Sequence, residues 1–126
     1  MKPESQYAAT LPPMGAKSSP TDFATTTRTY IDLTGLDRIL KVDIDRGIVA
    51  VQPVVRIGSL VEELAEYGYE LAGGHDLMSR TVGGAVAGGS IGPTFGDEGA
   101  LLASQVESLK IVTPDGSPIV IRRNQE

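Results

Sequence analysis

Nine of the chain's 15 glycines fall between residues 73 and 99, and this clustering limits what the middle of the fold can be. The densest part reads Thr81-Val82-Gly83-Gly84-Ala85-Val86-Ala87-Gly88-Gly89, with Ser90 and Gly92 following. Small side chains let a backbone come close to a ligand or to another backbone, and its N–H groups can face phosphate oxygens. If Val82 opens a short helix, the first-turn amides add a dipole that favours an anion. Glycine content by itself favours the plainer alternatives, a helix packed tightly on a sheet or a flexible loop. The run lacks the G-x-G-x-x-G order of a dinucleotide fold, and no Lys-Ser or Lys-Thr follows as in a Walker loop. Gly84, Gly88 and Gly92 have the spacing of a membrane packing motif, but the apolar stretch around them is too short.

On either side of this run the sequence has ordinary periodicities. Ile39 to Ile44 alternates apolar and polar residues, Asp45-Arg46-Gly47 is a turn, and Ile48 to Gln52 returns as a strand, which predicts a β-hairpin. Ile57, Leu60, Val61 and Leu64 fall on one helix face, Ser59 and Glu62 have capping-box spacing, and Gly68 is placed to stop the helix. Tyr69-Glu70-Leu71 reads as a brief strand. Val106 to Thr113 alternates as a half-buried strand, and the turn Pro114 to Ser117 leads back through Pro118 to Arg122 as a second hairpin. Thr29 to Leu33 is a short β-rich run. Residues 1–28, with Pro3, Pro12, Pro13 and Pro20 among hydroxyl and basic residues, read as a largely irregular segment ahead of a domain over 29–126.

Composition removes several classes of function. A net charge of −5 argues against nucleic acid as a partner, because phosphate backbones demand clustered Lys and Arg. Without cysteine there is no disulfide, thiolate metal site or cysteine nucleophile. His75, the sole histidine, sits beside Asp76 in a loop with no nucleophile elbow nearby, so a solvent-facing turn is the better reading. Asp97-Glu98 has no further ligand spacing to make a metal site. No transmembrane segment is expected, since the longest uncharged run is short and glycine-rich. The N-terminus lacks a secretory pattern, so the expectation is a soluble protein, cytoplasmic by default.

The order of these elements, rather than any one of them, carries a resemblance. Thr81-Val82-Gly83-Gly84-Ala85 matches the T-V-G-G-A run of the vanillyl-alcohol-oxidase (PCMH-type) flavoproteins, and the chain resembles their FAD-binding domain, the aldonolactone oxidase branch above all. Asp32 to Leu40 looks like the strand after the family's first flavin loop, and Gln52 to Tyr67 is similar to its helix, where an apolar-rich G-x-L-x-x-x-L pattern is usual. Ser104-Gln105-Val106-Glu107-Ser108-Leu109, running on to Asp115-Gly116, is similar to its following strand and turn. The resemblance implies an α+β fold, a mainly antiparallel sheet with short helices, forming a partial domain truncated at both ends. It implies FAD as cofactor, and in the complete enzyme a small-molecule alcohol or sugar-lactone substrate oxidised by hydride transfer to flavin. Gly15, Ser18, Ser19, Pro20 and Asp22 would wrap the pyrophosphate. Gly74, Thr81, Val82, Gly83, Gly84, Gly88, Gly89, Ser90 and Gly92 would line the cofactor from the other side. Where many members carry a histidine that tethers FAD covalently, this chain has Ser18, so the resemblance implies non-covalent binding. No residue is assigned a catalytic role. The alternative is a non-catalytic remnant or a small interaction module that retains the scaffold.

Overall fold

The fold comes from a computed structural model, which describes residues 13–16, 31–72, 78–89 and 101–124. Strand β1 (Pro13–Met14) pairs in parallel with β2 (Ile31–Asp32), and Leu33 N–H extends the pairing by donating to Met14 O at 3.1 Å. Proline content predicts irregular chain through residue 28, yet Pro13 and Met14 form a strand and Met14 is buried. Pro13 stands first in that strand, a position where its missing N–H is tolerated.

Strands β3 (Ile39–Asp43) and β4 (Ile48–Val51) form the expected antiparallel hairpin. Gly47 adopts φ +62°, a conformation that favours glycine. A register shift between Ile39 and Lys41 passes over Leu40, which is 61% exposed. The shift resolves a conflict in the alternation. In a regular strand Ile39 and Val42 would face opposite sides, because side chains alternate with a period of two. The bulge turns both toward the core, where they pack with Val49 and Val51 against Val55, Leu60 and Leu64.

Helix α1 (Ile57–Glu66) buries Ile57, Leu60 and Leu64 on the predicted face. Its end is a Schellman motif: Tyr69 N–H donates to Leu64 O and Gly68 N–H to Ala65 O, both at 3.0 Å, with Gly68 at φ +77°. Gly68→Ala is expected to lower stability by about 1 kcal/mol, since only glycine enters this region without steric cost. An unchanged urea midpoint in that variant would sink the assignment. The start of α1 departs from the capping-box expectation. Arg56, not Ser59, is the N-cap, and it makes no side-chain cap bond. The orphan amides of Ile57 and Gly58 donate instead to Arg80 O and Met78 O, both at 2.9 Å. Tyr69 to Leu71 is not a strand; the Tyr69 hydroxyl donates to Ile44 O at 3.0 Å and ties the helix end to the β3–β4 turn.

Helix α2 (Val82–Ala87) is followed by a 3-10 helix (Leu102–Gln105) and the antiparallel hairpin β5 (Ser108–Val112) and β6 (Pro118–Arg122). In the β5–β6 turn Gly116 has φ +87°. The Asp115 carboxylate accepts from the Thr113 hydroxyl and from Ser117 N–H at 2.9 Å, and these bonds hold its pKa below the usual value. Two core clusters result. Val55, Leu60 and Leu64 form one; Ile57, Ala85 and Leu102 form the other; Leu71 and Val82 touch both. The second hairpin departs from half-burial. Register places Leu109, Ile111, Ile119 and Ile121 on one face, yet they are 37–48% exposed, and the opposite face is exposed as well. The result is an α+β arrangement of small antiparallel sheets and short helices, with one parallel pair.

Candidate cofactor site

Segments 53–58 and 78–83 cross antiparallel, and both helices leave from that crossing. Arg56 bridges Thr81 at its centre. On one side Ile57 and Gly58 N–H donate to residues 80 and 78; on the other, Val82 N–H donates to Val55 O and Gly83 N–H to Pro53 O, both at 2.8 Å. Each helix therefore has its first amides capped by the backbone that precedes the other. Arg56 Nη1 adds a bond to Ser79 O.

Thr81 is the N-cap of α2, and its Oγ1 accepts from Gly84 N–H at 3.2 Å. It is only 5% exposed, the buried polar residue among those described. Gly15, from the turn after β1, comes in on another side: a Cβ there would lie 3.7 Å from Thr81 Oγ1 and 3.9 Å from Val54 Cγ2. Gly84 is tighter, with a Cβ position 2.8 Å from Thr81 Oγ1. Gly83 is tightest of all. Its Cβ would fall 2.7 Å from Pro53 Cβ and 3.0 Å from Pro53 O, so any side chain there collides with backbone as well as ring. Gly88 and Gly89 close the other end of α2, with Gly89 at φ +66°.

The structure thus brings Gly15, Thr81, Gly83 and Gly84 into one neighbourhood. The Val82 side chain packs against both core clusters. Ser18, Ser19, Pro20, Asp22, Gly74, Ser90 and Gly92 lie outside the described residues, as do His75, Asp76, Asp97 and Glu98.

The reading of α2 as a source of amides for a phosphate needs correction. The amides of Val82, Gly83 and Gly84 are taken by Val55 O, Pro53 O and Thr81 Oγ1, and Ala85 N–H donates to Thr81 O at 2.9 Å. The three orphan donors of the first turn thus have protein acceptors, and Ala85 makes the first intrahelical bond. Gly83 allows close backbone packing against Pro53. Sequence reasoning also missed Pro53, Val54 and Val55, which build the opposite strand of the crossing; nothing in their local pattern announces it. The charged side chains of the crossing are Arg56 and Arg80, both cationic, with no carboxylate or imidazole to move a proton.

A family model described as "FAD binding domain" matches residues 4–122. The chain belongs to the FAD binding domain family. The matched span of this FAD-binding domain contains every residue assigned above to the cofactor site. It is 31% identical over 116 residues to L-galactono-1,4-lactone dehydrogenase 2, mitochondrial, of Oryza sativa subsp. japonica, covering 92% of this chain and 20% of that protein. To L-gulono-1,4-lactone dehydrogenase of Mycobacterium tuberculosis it is 32% identical over 115 residues, covering 90% and 26%. To L-gulonolactone oxidase of Bos taurus it is 29% identical over 104 residues, covering 82% and 23%. The FAD-binding domain spans about a fifth to a quarter of the length of these curated relatives. Among its described residues no helix is long and apolar enough to cross a membrane, and no group of three or more His, Cys, Asp or Glu is placed to hold a metal.

Proposed function

We propose that this domain forms one wall of a non-covalent FAD site in an FAD-dependent oxidoreductase acting on an alcohol or sugar lactone, with hydride passing to the flavin. The observation that carries the reading is the approach of Gly15 to Thr81. These residues are far apart in sequence, and the family resemblance assigns both of their segments to the cofactor. Their contact supports the reading by bringing those two segments to one place in the fold. The residues fit FAD in part. Small residues and two cations surround the crossing, while the α2 amides are engaged and do not hold the pyrophosphate. That task falls to the first loop, with Ser18, Ser19, Pro20 and Asp22. When bound, FAD supplies the redox chemistry; the chain's residues bind and orient it.

FAD titration of the purified chain, followed by desalting and acid precipitation, tests the proposal. Bound flavin that passes wholly into the acid supernatant is the expected result, because Ser18 offers no covalent attachment. Gly84→Val is expected to lose most of this binding, its first side-chain carbon sitting 2.8 Å from Thr81 Oγ1. A folded protein that stays colourless would move the reading to the remnant or interaction module.

A further inference from the structure

The 3-10 helix between α2 and β5 carries a donor with no acceptor among the described residues. Gln105 Nε2 is buried and has no hydrogen-bond acceptor. Its surroundings, in contrast, are fully tied. The Arg123 guanidinium donates to the carbonyls on either side of Gln105, to Ser104 O and to Val106 O at 3.2 Å. Arg123 N–H donates to Glu107 O at 2.8 Å, and the Ser104 hydroxyl donates to Leu101 O at 2.6 Å. Leu102, three residues before Gln105, is buried against Ile57 and Ala85.

These contacts matter because an unpaired buried amide bears its full desolvation cost, which swinging out into water would relieve. The helix that carries Gln105 is held at both its backbone and its apolar face. Gln105 thus places an unpaired donor on an element that packs directly on α2, the helix opened by Thr81. Its natural complement is an oxygen acceptor brought in from outside the described chain.

We propose that Gln105 is a further cofactor-binding residue, its Nε2–H donating to an oxygen of FAD, either on the pyrophosphate or on the flavin ring. The inference rests on the FAD reading above.

The full chain with Gln105→Met and Gln105→Glu provides the test, read by melting temperature without ligand and by titration with FAD, ADP and riboflavin. Methionine keeps the volume and removes the donor; glutamate keeps the shape and replaces the donor with an acceptor. The expected result for Gln105→Met is an unchanged or higher melting temperature without ligand and about tenfold weaker FAD binding. Gln105→Glu is expected to weaken it further. Loss shared with ADP places the acceptor on the pyrophosphate, and loss confined to FAD and riboflavin places it on the ring. A lowered melting temperature for ligand-free Gln105→Met would overturn the proposal, because the acceptor would then belong to the chain. So would FAD affinity equal to that of the unaltered protein in both variants. If the unaltered chain binds no FAD, the proposed function fails first and this inference with it; normal FAD binding by all three proteins defeats the inference alone.

Discussion

Gly83→Val is expected to destabilise the domain by about 2–6 kcal/mol, enough to unfold it if its stability lies at the low end for a chain this size. The side chain has no direction in which to escape. Its first carbon would lie 2.7 Å from Pro53 Cβ and 3.0 Å from Pro53 O. The neighbour is backbone, so relief requires separating segments 53–55 and 81–83. Separation breaks the 2.8 Å bond from Gly83 N–H to Pro53 O and loosens the one from Val82 N–H to Val55 O. Gly84→Ala supplies the control. There the obstacle is Thr81 Oγ1, a side-chain atom that can rotate away with loss of the helix cap, at about 1 kcal/mol. Urea denaturation of the two variants should rank them clearly, Gly83→Val far below Gly84→Ala. Similar midpoints would mean that the crossing does not hold the domain together. Flavin affinity is to be read only in the variant that stays folded, since loss of FAD by Gly83→Val would report unfolding.

The second large effect is expected at Ile57, which is 1% exposed. Ile57→Ala should cost about 2–5 kcal/mol through lost burial and the cavity left behind. The position is a junction: Ile57 begins α1, packs on Ala85 of α2 and Leu102 of the 3-10 helix, and donates its N–H to Arg80 O. The cavity would open where three elements meet, so their mutual placement should suffer along with stability. Ile57→Val, expected to cost about 0.5–1.5 kcal/mol, keeps the β-branch and separates volume from shape. Thermal melts that place Ile57→Ala within 1 kcal/mol of the unaltered protein would show that the second cluster is not a core.

The parts of this fold that sequence reading reaches are those fixed by neighbours in the chain. Gly47 and Gly116 mark turns because the required φ is a local property, and both hairpins follow. The α1 face and its stop at Gly68 are likewise local. Ser59 and Glu62 have the right spacing for a capping box, but carbonyls from residues 78 and 80 cap the helix first, and no local pattern announces a partner that far along the chain. The same long-range crossing decides the glycine-rich run. Its small residues are visible at once, whereas the acceptors that occupy its amides come from Pro53 and Val55. Pro13 and Met14 escape notice because a two-residue strand has no period to detect. For the hairpin β5–β6, alternation identifies strands correctly but says nothing about whether anything packs on them.

The approach of Gly15 to Thr81 also bears on the order in which the molecule forms and opens. Joining residues 15 and 81 closes a loop of 66 positions (81 − 15), whereas the β3–β4 turn from Asp43 to Ile48 closes one of five (48 − 43). By chain entropy alone the longer closure is disfavoured by roughly 2–3 kcal/mol more. The hairpins are thus expected to form early, with docking of the N-terminal turn among the last events and the first to be undone. Hydrogen exchange can follow this through Leu33, whose N–H reaches Met14 O, against the interior amides of β3 and β4. Equal protection at the two places would refute the order. A ligand that needs the docked turn draws on the closed form alone, so FAD should slow exchange at Leu33 while leaving the β3–β4 hairpin largely unchanged.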